Sequence, residues 1–220
     1  MHAYWSSDGE IERWHNIHLG ERCCIVGNGP SLKDVDLTAI DVPTFGVNRA
    51  WMVLECSYYV IGDKPQFEHY EMESGKHISN LWPLFSTKDG PRHSTRVRSL
   101  CSTRRQFSLD LHEGVHLNNT VTVFAMQVAV WMGFATIFLV GVDCSGAHFD
   151  GGDDIPEKKF SNQREAYGYV AGFLAGTREI VNLSPGTRVF AFPRRRFVEV
   201  FPSAPVRSPS SYGPPSAPQP

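Results

Sequence analysis

The chain has 220 residues, 41% hydrophobic and 12% aromatic, which is enough for one well-buried core and, by length, one domain. A formal net charge of −2 and a pI near 6.5 exclude a strong global pull toward nucleic acid or an anionic membrane surface. No run of about eighteen apolar residues, the length that reads as a membrane span, occurs anywhere.

The N-terminus, Met1-His-Ala-Tyr-Trp-Ser-Ser-Asp8, has neither the basic nor the apolar part of a signal peptide, so a cytoplasmic protein is expected. The cysteines, Cys23, Cys24, Cys56, Cys101 and Cys144, are odd in number and lack Cys-x-x-Cys spacing. They suggest small core residues rather than a disulfide framework or a zinc ribbon. Residues 1–21, with Trp5, Trp14, His15 and His18, read as a lead-in segment, either a short packed helix or a partly ordered extension. Residues 22–201 read as one nucleotide-binding α/β domain. Residues 202–220, rich in Pro and Ser, have too few apolar side chains to fold and read as a disordered tail.

The domain opens on Cys23 to Val26, a short apolar run suited to a strand buried on both faces of a parallel sheet. Gly27 and Gly29 let the chain turn sharply and leave room for a ligand at the main chain. Pro30 presets a helical φ, and Ser31 with Asp34 is a weak capping-box pattern. A helix starting here, running to Ile40, would aim free N–H groups and a positive dipole end at the loop, favouring an anion. An ordinary strand-to-helix turn would look the same. Leu32 stands where a dinucleotide fingerprint needs a small residue, and Gly-Lys-Ser/Thr is absent, so neither an NAD site nor a Walker ATP site is read.

Pro43 to Val47 and Ser57 to Ile61 read as the next strands, followed by a polar helix over 66–72 and an apolar segment from Ile78 to Phe85. Residues 86–113 carry Arg92, His93, Arg96, Arg98, Arg104 and Arg105, a solvated loop or a phosphate-binding flap. Asn118 to Gly133 has a polar helix start, an apolar helix and a glycine stop. Thr136 to Val142 is the most strand-like run, and it ends at Asp143. A Gly- and Asp-rich loop over 144–158 contains His148. A helix over 160–177 with Tyr167, Val170, Phe173 and Leu174 on one face, then a strand from Glu179 to Leu183, complete the alternation. The predicted class is α/β, a single-domain Rossmann-like, mostly parallel sheet with helices on both faces.

Ligands of open parallel sheets sit at the carboxyl ends of the strands. Those ends read Gly27-Asn28, Asn48-Arg49, Gly62-Asp63 and Asp143, with Thr120 and Thr122 at the start of the buried helix. Asn28 and Asn48 offer donors and acceptors suited to a base, ribose or phosphate, although Asn and Asp also form turns. Gly20-Glu-Arg-Cys-Cys-Ile-Val-Gly-Asn-Gly-Pro-Ser-Leu32, Thr44-Phe-Gly-Val-Asn-Arg49, Tyr58-Tyr-Val-Ile-Gly-Asp63 and Gly141-Val-Asp143 resemble a Rossmann-like superfamily. It contains bacterial lipooligosaccharide sialyltransferases, a domain of flagellin-modifying glycosyltransferases, 6-hydroxymethylpterin pyrophosphokinase-like proteins and short phage-encoded members. The resemblance covers about residues 17–200 and implies a cytidine nucleotide held at Asn28, Gly29, Asn48 and Asp63. Where the sialyltransferases have Thr-Ser-Gly, this chain has Thr120-Val121-Thr122. Their catalytic histidine lies further along the loop than His148, and their tyrosine pair for the leaving phosphate has no clear counterpart.

The leading expectation is therefore a glycosyltransferase using a nucleotide-sugar donor, CMP-sugar favoured, without a metal. Gly27, Asn28, Gly29, Ser31, Asn48, Asp63, Thr120 and Thr122 would bind the donor. His148 would be the base, oriented by Asp143, Asp150, Asp153 or Asp154, with Asp143 as the next candidate base. The alternatives are a non-catalytic nucleotide-binding or assembly protein, and a Mg²⁺-dependent pterin-type pyrophosphokinase, whose second carboxylate after the third strand is missing here. The acceptor could be a glycan or phage DNA. The arginines at 92–105 and 194–196 suit a phosphate backbone, but the pI does not.

Overall fold

The computed structural model describes residues 6–62, 83–87, 94–100, 106–151 and 155–202. Its strands are β1 (Arg22–Val26), β2 (Thr44–Val47), β3 (Tyr58–Ile61), β4 (Leu84–Ser86), β5 (Thr95–Arg96), β6 (Thr136–Val140) and β7 (Glu179–Asn182). They form one seven-stranded sheet in the order β5-β4-β3-β2-β1-β6-β7, with every neighbouring pair parallel. The helices are α1 (Asp8–Glu12), α2 (Val121–Trp131), α3 (Glu157–Leu174) and α4 (Phe197–Val200). None of the helices described is long and apolar enough to cross a membrane.

Strand residues alternate between the two faces, and both faces are covered, which is why the strands are apolar runs rather than alternating ones. Cys23, Ile25, Ile137 and Leu139 pack with α2 and with Phe160, Tyr167, Val170 and Leu174 of α3. Cys24, Val26, Phe138 and Val140 pack on the opposite side with Leu32, Leu37, Phe197 and Phe201. The long helices thus share one face, while 3₁₀ turns at Pro30–Asp34, Leu37–Ala39 and Asn48–Met52 and the short α4 cover the other.

Helix α2 is buried almost all round and is capped by Thr120, whose hydroxyl accepts from the Thr122 N–H at 3.3 Å. Beyond its C-terminus Gly133 has φ +94°, a value open to glycine. Gln127, fully buried, accepts through Oε1 from the N–H groups of Ser108 and His116 and donates through Nε2 to the carbonyls of His116 and Val123. All four of its hydrogen-bonding sites are therefore used, and α2 is tied to the loop before it.

The lead-in packs on the domain. A capping box of Ser7 and Glu10 starts α1, and Trp131 Nε1 donates to the Ile11 carbonyl at 3.2 Å. Trp14 meets Tyr58 and Phe85 edge-on, while His18 stacks on Phe134 and hydrogen-bonds the Tyr58 hydroxyl at 2.6 Å.

Several predicted elements shift. In place of one helix to Ile40 there are 3₁₀ turns at Pro30–Asp34 and Leu37–Ala39. Val35 is extended, and Asp36 Oδ1 caps the second turn through the Thr38 N–H at 3.1 Å, which breaks any longer helix. Strand β6 stops at Val140 because Gly141 turns with φ +68°. Helix α3 runs 157–174 instead of 160–177, ending where Ala175 becomes extended before Gly176 at φ +77°. The predicted helix over 66–72 and the Pro/Ser tail from 203 onward lie outside the described residues.

Candidate functional site

The order of the strands reverses between β1 and β6: the chain moves outward from β1 through β2 to β5, then returns to place β6 on the other side of β1. Loops leaving the carboxyl ends at such a point diverge and open a crevice. A cavity of about 610 Å³ lies there, lined by the β1, β2 and β6 loops, Gly62 after β3, the start of α2 and the first turns of α3. That volume is of the size that holds a nucleotide-sized ligand.

Asn28, Gly29, Asn48, Thr120, Thr122, Asp143 and His148 all line this cavity, although they come from segments far apart in sequence. Asp63 lies outside the described residues, as do Asp153 and Asp154. Ser31 is buried, and both its N–H and its hydroxyl donate to Asp143 Oδ2, at 3.2 and 2.9 Å. Its polar groups serve the carboxylate. The capping role expected of Ser31 belongs instead to Asp143, reaching across from the β6 loop.

The two glycines let the β1 and β6 loops meet. The Gly27 N–H donates to the Val140 carbonyl at 2.8 Å and the Gly29 N–H to the Gly141 carbonyl at 2.7 Å. A Cβ on Gly27 would stand 2.4 Å from Gly141 O; on Gly29 it would stand 1.8 Å from Asp143 Oδ2 and 2.7 Å from Gly141 O. Both positions need glycine because the β1 and β6 loops touch. These amides are spent on protein carbonyls, and the turn that follows is a single five-residue 3₁₀ element, so the expected anion cradle of free N–H groups is not formed by this loop.

The helix starts that line the cavity are those of α2 and α3. Asn28 Oδ1 accepts from the Arg49 N–H at 3.0 Å, and the Asn28 carbonyl accepts from the Phe149 N–H at 2.9 Å, so this one residue fastens the β1, β2 and β6 loops together. Asn48 sits at φ +47°, a left-handed position that asparagine tolerates. Thr120 Oγ1 lies 3.2 Å from the Tyr167 hydroxyl, joining α2 to α3.

Arg49, Lys158 and Lys159 bring positive charge to the cavity, and Arg49 pairs with Asp150. Burial, and then the Arg49 guanidinium, push the His148 pKa below the usual imidazole value, partly countered by Asp150 and a hydrogen bond to the Asn28 backbone. A neutral ring results at physiological pH. Burial raises the Asp143 pKa, while the two Ser31 donors pull it down. Among the described residues no group of three or more His, Cys, Asp or Glu is placed to hold a metal ion.

Arg49 is named from sequence only as part of a strand end, and Lys158 and Lys159 are not expected from it. A signal existed: lysines in the first turn of a helix oppose its dipole, which favours acids there.

No protein-family model and no curated protein matches the sequence. Among solved structures, the fold is similar to that of the MAf glycosyltransferase from Magnetospirillum magneticum AMB-1, with TM-score 0.57 and 17% identity over 91% of this chain. The chain spans 39% of that neighbour's length. The sialyltransferase CstII from Campylobacter jejuni, in complex with cytidine-5'-monophosphate, matches with TM-score 0.47 and 14% identity over 80% of this chain and 85% of its own. The chain thus has a parallel α/β fold of a kind found in glycosyltransferases.

Proposed function

We propose that the chain is a nucleotide-sugar-dependent glycosyltransferase with a CMP-sugar as the favoured donor. The observation that carries this reading is the cavity at the strand-order reversal, where the start of α2 and the Arg49, Lys158 and Lys159 cations converge on the same space as the neutral His148. Cations and a helix N-terminus favour phosphate, and a neutral imidazole can take a hydroxyl proton.

In this reading an acceptor hydroxyl oxygen attacks the anomeric carbon of the donor sugar. The carbon–oxygen bond to phosphate breaks, and its electron pair leaves on the phosphate. His148 takes the hydroxyl proton, while Arg49, Lys158 and Lys159 offset the charge growing on the departing group. The Asn28 carbonyl accepts from the N–H of the neighbouring Phe149, which ties the loop carrying His148 to the β1 loop.

A thermal-shift panel of CMP, UDP, GDP and ATP, with and without Mg²⁺, tests the reading. A ligand at about a hundred times its Kd stabilises by roughly 2.7 kcal/mol. CMP is expected to raise Tm most, without added metal. A shift with ATP and Mg²⁺ alone would replace this reading with the pyrophosphokinase one, and CMP binding without sugar transfer would point to a non-catalytic nucleotide-binding protein.

A further inference from the structure

Two acceptor oxygens of the cavity residues have no hydrogen-bond partner among the described residues: Asp143 Oδ1 and Asn48 Oδ1, both buried. Asp143 is only 3% exposed, and its other oxygen is fully engaged by the Ser31 N–H and hydroxyl. A buried acceptor without a donor is costly, so folded proteins rarely keep one unless an ordered water or a ligand supplies the partner. A phosphate at neutral pH supplies no donor. A hydroxyl or an amine does.

The two oxygens belong to different loops of the cavity. Asn48 follows β2 and Asp143 follows β6, the strands on either side of β1. Backbones two strands apart are separated by roughly 10 Å, from which two inward side chains can bracket a ribose with its base. The cations Arg49, Lys158 and Lys159, which also line the cavity, suit the phosphate.

We infer that Asp143 Oδ1 accepts a hydrogen bond from a ribose hydroxyl of the bound nucleotide, with Asn48 Oδ1 as a second acceptor for the nucleoside, so that the site selects ribonucleotides over their deoxy forms. This deepens the nucleotide reading above and rests on it. It makes Asp143 a specificity residue instead of a base. Ser31 sets the orientation: its donors fix Oδ2 and leave Oδ1 without a protein donor among the described residues.

Calorimetric titration of the full chain with CMP, UDP, GDP and ATP, and with the 2′,3′-dideoxy form of each, provides the test. The ribonucleotide that binds is expected to bind about tenfold or more tightly than its dideoxy form, the scale of one charged hydrogen bond. Asp143→Asn should abolish that preference. The Ser31 donors will hold the amide oxygen, turning the NH₂ toward the cavity and replacing an acceptor with a donor. Equal affinity for ribo and dideoxy forms in the wild type overturns the inference while leaving the nucleotide reading in place. So does a preference that survives in a folded Asp143→Asn. Absence of binding by all eight compounds overturns both. If Asp143→Asn does not fold, the wild-type comparison decides alone.

Discussion

His148 lies on the β6 loop with its pKa depressed by burial and by Arg49. As a base it must be neutral, so kcat/KM for sugar transfer should fall only as pH drops through a value below about 6.5, and stay level through neutrality. His148→Ala should lower kcat by about a hundredfold while nucleotide affinity changes little. An acid limb above 6.5, or unchanged turnover in that variant, would remove His148 from the chemistry. Gly27 makes a prediction of another kind. The atom a new Cβ would meet at 2.4 Å is the Gly141 carbonyl oxygen, which as backbone cannot swing away. Gly27→Ala should therefore cost about 1–3 kcal/mol and lower Tm by roughly 2–4 °C for each kcal/mol. An unchanged Tm in thermal unfolding would show that the β1 and β6 loops can separate freely.

Helix α2 joins the core to the site: its N-terminus faces the cavity, and its only fully buried polar side chain, Gln127, fastens the loop over 106–116. Gln127→Leu would keep the volume but strand the buried N–H groups of Ser108 and His116. A loss of about 2–4 kcal/mol is expected, read as the shift in urea midpoint at constant slope. A loss below about 0.5 kcal/mol would mean that the loop finds other partners. The lead-in helix α1 is held differently, by His112 against Glu12 and Asp8. Hydrogen bonding to Glu12 raises the His112 pKa, and the same contact lowers that of Glu12. The stabilisation from His112 is complete below about 6.5 and is lost as pH rises through its higher folded value. That from Glu12 is present above about 4.5 and lost as pH falls through its lower folded value. Hydrogen exchange in residues 8–14 should therefore be slowest, after correction for intrinsic rates, between these limits. It should speed up on either side and with added salt, since the pair is exposed. Protection independent of pH would assign the anchoring to Ile11 and Trp131 alone.

At the scale of the whole molecule, the parallel sheet was legible because a strand covered on both faces must be an apolar run, as Cys23–Val26 and Thr136–Val140 are. The convergence of Asn28, Asn48, Thr120, Asp143 and His148 was legible for a related reason: parallel strands send all their carboxyl ends to one edge. The 3₁₀ turns were not, since Pro30, Ser31 and Asp34 suit an α-helix equally and only Asp36 and Val35 decide against it. Strand β5, two residues long, is too short to show any periodicity. For Gly27 and Gly29 the sequence shows that a close approach occurs but not which atoms approach; Gly141 and Asp143 are among them.

The central claim is that the cavity between the β1 and β6 loops binds the donor nucleotide. The most direct measurement is mapping of backbone amide shifts of the full chain during titration with CMP. Saturable changes should concentrate at 28–29, 48–49, 120–122 and 141–148, which come together only at that cavity. Changes confined instead to the second cavity, between the end of α3 and β7 around Arg178 and Phe192, or no saturable change at all, would contradict the claim.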